Sequence, residues 1–328
     1  MTESAGMHAL FFETFGGPEV LRYGPVPRPE LLPGTVLMRV KSIGLNYADI
    51  YRRYGNYHLV GEPPYILGYE AAGEILAVAP DVTHLHVGQR IACADVPHSN
   101  AEVMRVPVEH VIPLPDDIAF DQAAALLLQG LTAQYLTADS YPVGPGTVAL
   151  VHAVAGGVGQ LLTQFIKARG GQVIGLTSSP AKREQALAAG ADAVFLYQDA
   201  WEAAVRDYCG AAGGVEVVYE SVGSTLAQSL AVTRVRGTVV FFGMAGGDPA
   251  PVDPRQLMDR SLTLTGGDLW NYLTSRAERE QRAAALFELV RGGQLQAVVT
   301  AAFPLSEGPA AHRLLESRQS TGKILLHP

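Results

Sequence analysis

The stretch Thr147-Val148-Ala149-Leu150-Val151-His152-Ala153-Val154-Ala155-Gly156-Gly157-Val158-Gly159 decides how the chain is read. Its first five residues are an apolar run of buried-strand length, and the rest is a loop of small residues rich in glycine. Beyond it, Val158, Leu161, Leu162, Phe165 and Ile166 fall at i, i+3, i+4, i+7 and i+8, one face of a helix. Strand, glycine loop and helix are what a dinucleotide needs. Glycines let the backbone approach the pyrophosphate, and the helix N-terminus offers unpaired N–H groups and the positive end of its dipole. The fingerprint is incomplete, because Val154 stands at the first glycine position of G-x-G-x-x-G and leaves Gly156 and Gly159. A tight turn without a ligand shares this outline; the surrounding strand–helix–strand context favours the nucleotide.

That context extends on both sides. Gln172–Thr177 reads as the next strand. Ser179 as N-cap, Pro180 in the first turn and Gly190 just past the end bracket a helix. Further strands are expected at 192–196, 215–219, 238–242 and 261–265, so the alternation predicts right-handed βαβ units in a doubly wound parallel sheet. Upstream, Asp121–Leu128 is Ala/Leu-rich and helical, with Asp121 as its N-cap. Before that, Pro25, Pro27, Pro29 and Pro33 punctuate short runs such as Val36-Leu37-Met38-Arg39-Val40, which predicts a β-rich, barrel-like region. A charged helix over 276–291 ends at Gly292-Gly293. A second helix near 308–317 and a strand, Lys323-Ile324-Leu325-Leu326, complete the chain.

Composition narrows the class. The 328 residues suggest two domains, and 48% hydrophobic with 17% charged residues is material for packed cores rather than disorder. A net charge of −8 with no basic run argues against nucleic acid as a partner. Cys93 and Cys209 are solitary, which fits a reducing cytoplasm and forms neither a disulfide framework nor a zinc lobe. No secretory signal is expected, and no apolar stretch nears the ~20 residues that span a bilayer.

The end of the second nucleotide-domain strand bears on the choice of cofactor. NAD enzymes usually carry an acid there for the ribose hydroxyls. Here the sequence runs Leu176-Thr177-Ser178-Ser179, with Lys182 and Arg183 following. No acid repels a 2′-phosphate, and Thr177, Ser178 and Lys182 can hold one, so NADPH is the expected cofactor. The plainer alternative is that Ser179 only caps a helix and the cations line a solvated face.

From Met7 to Pro328 the chain resembles the zinc-free, zeta-crystallin-like quinone oxidoreductases of the medium-chain dehydrogenase/reductase superfamily. The matching stretches are Gly16–Leu21, Ile43–Asp49, Gly68–Gly73, the loop Ala155–Gly159 and Thr321-Gly322-Lys323. The resemblance implies a GroES-like catalytic domain built from residues 1–125 and 266–328 around a Rossmann NADPH-binding domain at 126–265. It also implies a cofactor cleft between them, and a homodimer.

Zinc-dependent members of the superfamily hold catalytic metal through an early Cys and the His of a Gly-His-Glu. The corresponding stretches read Gly44-Leu45-Asn46 and Gly68-Tyr69-Glu70, and the structural four-Cys lobe is absent, so no metal is expected. His84 and His86 are read as surface residues. Without a Lewis acid, alcohol oxidation loses its main electrophile. A conjugated carbonyl depends on one less, because its negative charge delocalises.

The remaining site residues are implied by the resemblance. Asn46 and Tyr51 flank the nicotinamide, where either can hydrogen-bond the carboxamide or a developing oxyanion; otherwise Asn46 stabilises a turn and Tyr51 packs in a core. Gln129, Gly130 and Thr132 pass under the nicotinamide. Gly156, Gly157 and Val158 meet the pyrophosphate, and Tyr197 lies near the adenosine phosphate. Ser221, Phe242, Gly243 and Met244 border the cofactor at strand ends, although Phe242 can equally be core. Lys323 belongs to the matching C-terminal motif and is counted with the cofactor residues. Glu70 is read as structural rather than as a general base. Gly266-Gly267 departs from the Arg-Pro of many members, so substrate selectivity does not carry over. These residues predict NADPH-dependent reduction of quinones; the alternatives are an alkenal or enone reductase and a non-catalytic NADPH-binding protein.

Overall fold

Alternating buried runs and helices place Val148–Val151 at the centre of a six-stranded parallel sheet. The structure is a computed structural model that describes residues 6–328; residues 1–5, where the first expected domain begins, lie outside the described residues. The chain divides into two compact units. The first holds the residues up to Leu128 with Leu273–Glu288 and Ala297–Pro328, and the second holds Gln129–Tyr272 with Leu289–Gln296.

In chain order the first unit contributes β1 (Met7–Phe12), β2 (Arg22–Val26), β3 (Thr35–Leu45), helix α1 (Tyr47–Arg53), β4 (Tyr65–Ile66), β5 (Ala71–Val78), β6 (Arg90–Cys93), β7 (Val103–Pro107) and β8 (Ile112–Pro113). Helix α2 (Phe120–Tyr135) runs out of it into the second unit. Two sheets form, one in the order β2-β1-β4 and a larger one in which β3 pairs antiparallel with β5 and β7. Gly73 is required where β3 and β5 approach, because a Cβ there would sit 2.0 Å from the Arg39 carbonyl oxygen. Leu10, Phe12, Met38, Ile43, Ile75 and Ile91 fill the core.

The second unit alternates β9 (Val148–Val151), α3 (Gly157–Ala168), β10 (Gln172–Thr177), α4 (Pro180–Ala188), β11 (Ala193–Leu196), α5 (Trp201–Cys209), β12 (Val215–Glu220), α6 (Leu226–Val232), β13 (Thr233–Phe241), α7 (Pro254–Arg260) and β14 (Thr263–Gly266). All strands are parallel in the order β11-β10-β9-β12-β13-β14, and strand order reverses between β9 and β12. Leu150, Ile174, Val218 and Val239 bury one face of the sheet in a cluster with Trp201 and Val205 of α5 and Leu226 and Leu230 of α6. In open parallel sheets ligands settle at the carboxyl ends of the strands, beside such a reversal.

The first unit closes with α8 (Arg276–Arg291), which continues into the second, then β15 (Val299–Pro304), α9 (Gly308–Glu316) and β16 (Lys323–His327). Strand β16 joins the larger sheet between β15 and β3, so the C-terminal strand lies beside an N-terminal one.

Two local expectations are corrected. Helix α2 starts at Phe120, so Asp121 lies in its first turn rather than at the N-cap; its carboxylate accepts from His327 Nε2 at 2.9 Å. Strand β13 begins at Thr233, five residues before the expected 238, with a register shift against β12 between Val215 and Val217.

Candidate functional site

In the second unit the glycine loop hangs from the strands on either side of β9. The His152 amide donates to the Tyr219 carbonyl at 3.2 Å, and the Val154 amide to that of Leu176 at 3.0 Å. Between them Ala153 adopts φ 47°, a left-handed conformation uncommon outside glycine. Its carbonyl accepts from the Gly156 amide at 2.8 Å. Gly156 caps α3 without any capping side chain, and the first turn of the helix carries no acid, as suits a bound anion. A Cβ at Gly159 would lie 2.4 Å from the Ala153 oxygen, so only glycine lets the helix sit this close to the loop. A Cβ at Gly157 would meet Gln129 Oε1 at 2.1 Å; the expected residues Gln129 and Gly157 are thus brought together at the helix start, beside Val158. Gly130 and Thr132 lie buried in α2.

Strand β10 ends in a buried Thr177 and an exposed Ser178. The Ser179 side chain accepts from the Lys182 amide at 3.4 Å as the N-cap of α4, while Lys182 is half-exposed and Arg183 exposed on that helix. No acidic residue occupies the first turn of α4. Ser221 and the segment Phe242–Met244 are zipped together: Ala245 N donates to the Ser221 carbonyl at 3.0 Å and Phe242 N to that of Glu220 at 2.9 Å. Gly243 would place a Cβ 3.1 Å from the Ser221 oxygen. The departure at Gly267 has a packing cause, since a Cβ there would lie 2.8 Å from the ring of Tyr135, itself stacked on Tyr272 at 4.2 Å.

Beneath the loop lies a polar cluster that spacing alone does not reveal. His152 is buried, with Nε2 2.9 Å from Ser229 Oγ and 3.3 Å from Glu220 Oε2. Its Nδ1 is 3.2 Å from the Tyr197 hydroxyl, which accepts from the Ala153 amide at 2.9 Å. Glu220 Oε1 also accepts from the amides of Val222 at 2.7 Å and Gly223 at 3.0 Å. Burial lowers the pKa of His152 against the opposing pull of Glu220. Burial pushes Glu220 up, but His152, Ser229 and the two amides outweigh it and hold the carboxyl below its ordinary value.

The first unit gathers a second cluster. Lys323, the first residue of β16, is buried and places Nζ 2.6 Å from Glu70 Oε2 and 2.8 Å from Asn46 Oδ1. Asn46 Nδ2 donates to the same Glu70 oxygen at 2.9 Å and to the Gly44 carbonyl at 3.1 Å. Flipping this amide would set NH₂ against the ammonium and a carbonyl against the carboxylate, so its orientation is determined. Glu70 Oε1 accepts from the Leu128 amide of α2 at 2.6 Å. A step further in, Asp49 accepts from the Asn46 amide at 3.0 Å and pairs with Arg52 at 3.4 Å. Burial raises the Asp49 pKa despite Arg52. Arg52 also lies over the Tyr69 ring, 3.6 Å from its centre. Tyr51, half-buried on α1, packs between Tyr47 and Tyr57 with ring centres 5.5 and 6.2 Å away.

Comparison with known proteins agrees with this architecture. The family described as "Alcohol dehydrogenase GroES-like domain" matches residues 32–145, and "Zinc-binding dehydrogenase" matches 157–288. A 2-haloacrylate reductase from Burkholderia is 38% identical over 324 residues, 95% of this chain and 96% of that protein. A quinone oxidoreductase from Pseudomonas aeruginosa is 38% identical over 322 residues, 97% and 98% of the two chains. The chain belongs to the medium-chain dehydrogenase/reductase superfamily. It is an oxidoreductase of that superfamily, with a Rossmann sheet in one unit and a GroES-like fold in the other. The Escherichia coli quinone oxidoreductase, solved with NADPH, superposes with a TM-score of 0.94 at 34% identity, covering 98% of this chain and all of that one.

Zinc figures in one of the two family descriptions, and the residues present do not fit it. Asn46 and Tyr69 offer neither thiolate nor imidazole, and the ammonium of Lys323 already neutralises Glu70. Among the described residues, no group of three His, Cys, Asp or Glu could hold a metal ion. The residues that sequence reading passed over, Glu220, Thr225 and Ser229 in one cluster and Asp49 and Arg52 in the other, carry a faint signal. Thr225, just before α6, and Ser229 within it stand four residues apart, and Glu220 is a buried acid at the end of β12.

Proposed function

We propose that the protein is an NADPH-dependent reductase of quinones that works without zinc. The reading rests on one observation above the others: a glycine loop and an uncapped helix N-terminus at the strand-order reversal, with no acid following Leu176. When bound, the nicotinamide supplies the hydride. Gly157 and Val158 present backbone N–H groups to the pyrophosphate and Gly156, whose own N–H is held by Ala153, lets the backbone approach it, while Ser178 and Lys182 meet the 2′-phosphate. Both amide hydrogens of Asn46 have protein acceptors, so Tyr51 is the better donor to an acceptor oxygen that gains charge. Such neutral donors suit an acceptor whose charge is spread over a conjugated system.

The Burkholderia relative favours a second reading, because a 2-haloacrylate is an α,β-unsaturated acid rather than a quinone. A panel of quinones, enones, 2-haloacrylates and simple alcohols, followed by NADPH absorbance, separates the two. Fast quinone turnover supports the first reading and fast acrylate turnover the second; oxidation of alcohols alone rejects both. We also propose that the protein acts as a homodimer, as sedimentation would show.

A further inference from the structure

The hydrogens of the cluster under the glycine loop can be assigned by elimination. A carboxylate only accepts, so the hydroxyls of Ser229 and Thr225 both donate to Glu220, Thr225 at 2.9 Å. Ser229 Oγ is then left to accept, and the partner facing it is His152 Nε2–H at 2.9 Å. With its proton on Nε2, the neutral ring accepts at Nδ1, where the Tyr197 hydroxyl lies 3.2 Å away. The Tyr197 oxygen in turn accepts from the Ala153 amide. The result is one directed chain, from the Ala153 amide through Tyr197, His152 and Ser229 to Glu220, in which each donor meets an acceptor. Trp201 also lies against His152, edge-on with ring centres 5.9 Å apart.

We propose that His152 is a positioning residue for the nucleotide, acting through Tyr197 to hold the left-handed turn at Ala153 that aims the glycine loop. A non-glycine residue at positive φ persists only where its surroundings over-determine it, and the Tyr197 bond to the Ala153 amide is such a constraint. The Ala153 carbonyl receives the Gly156 amide, so a turn of that residue displaces the start of α3. Tyr197 therefore serves the pyrophosphate, which NADPH and NADH share, and not the 2′-phosphate alone. This inference rests on the dinucleotide reading above.

The test is Tyr197→Phe, a half-buried position where the ring is kept and only the hydroxyl is lost. Titrating the parent and the variant with NADPH and with NADH should show both dissociation constants rising by the same factor, about fivefold to tenfold for one hydrogen bond. The loss should fall on the cofactor KM rather than on kcat, with the melting temperature of the unliganded protein nearly unchanged. Ser229→Ala, which cuts the chain away from the loop, should weaken both cofactors in the same proportion but less. His152→Gln is informative only if it folds, and the other two variants stand without it. Loss confined to NADPH would make Tyr197 a 2′-phosphate contact and overturn the proposal, as would unchanged affinity for both cofactors. A parent protein that binds neither nucleotide would overturn the dinucleotide reading itself, and this inference with it.

Discussion

The two units each bury a polar cluster next to residues expected to meet cofactor or substrate, and they build it from opposite materials. In the first unit two charge pairs meet at Asn46, Lys323 with Glu70 from distant parts of the chain and Arg52 with Asp49 from one turn of α1. In the second they are hydroxyls, backbone amides and a neutral imidazole around a single carboxylate. Paired charges tie distant segments together but penalise any imbalance, because a buried charge without its partner has no solvent to turn to. A mostly neutral chain tolerates the loss of a member at lower cost and instead transmits direction from one hydrogen bond to the next.

The largest expected effect breaks the charged cluster. Lys323→Met leaves Glu70 buried without its cation, and should cost about 3–5 kcal/mol of stability in a denaturant titration. Adding Glu70→Gln should recover more than half of that. If the single variant is as stable as the parent, the buried pair contributes little, and the contrast between the units fails.

A second expectation sharpens the comparison through pH. His312 of α9 faces the buried Arg53, and burial, helped by that cation, pushes its pKa from 6.5 down to about 3. The unfolded chain takes up a proton below 6.5 while the folded one refuses it until about 3, so stability is lost as pH falls through that window. Between pH 6.5 and 5 the loss from this group should be about 2 kcal/mol. Denaturant midpoints measured at several pH values should show the decline, and His312→Gln should flatten it. A variant with the same acid slope as the parent would assign the effect to other groups.

The smallest effect concerns the second unit. Lys182→Ala should weaken NADPH roughly tenfold, about 1.4 kcal/mol, and leave NADH nearly unchanged. Equal losses for both cofactors would move the 2′-phosphate contact away from Lys182. Set beside Tyr197→Phe, for which equal losses are expected, this variant separates recognition of the 2′-phosphate from shaping of the loop.

Much of this molecule was legible in one dimension because the interactions involved are local. Periodicity placed β9 and α3 on either side of the glycine loop, and Ser179, Pro180 and Gly190 marked α4, since caps and turns are decided by neighbours within a few residues. The break of the loop pattern at Val154 was equally visible, although its reason was not. Val154 packs against Gly175 of β10, where a Cβ would meet it at 2.5 Å. Local rules also misplaced the N-terminus of α2 by two residues in taking Asp121, whose carboxylate answers to His327 at the far end of the chain, as the N-cap.

What folding alone decided was which side chains saturate one another. Lys323 reaches Asn46 across 277 positions of sequence and Arg53 reaches His312 across 259, distances over which no periodicity carries information. Burial then turns these meetings into constraints, because a polar atom removed from water must find its partner within the fold. That requirement fixes the orientation of the Asn46 amide and the tautomer of His152. Residue types and spacings name the groups that can take part; the three-dimensional packing selects which donor faces which acceptor.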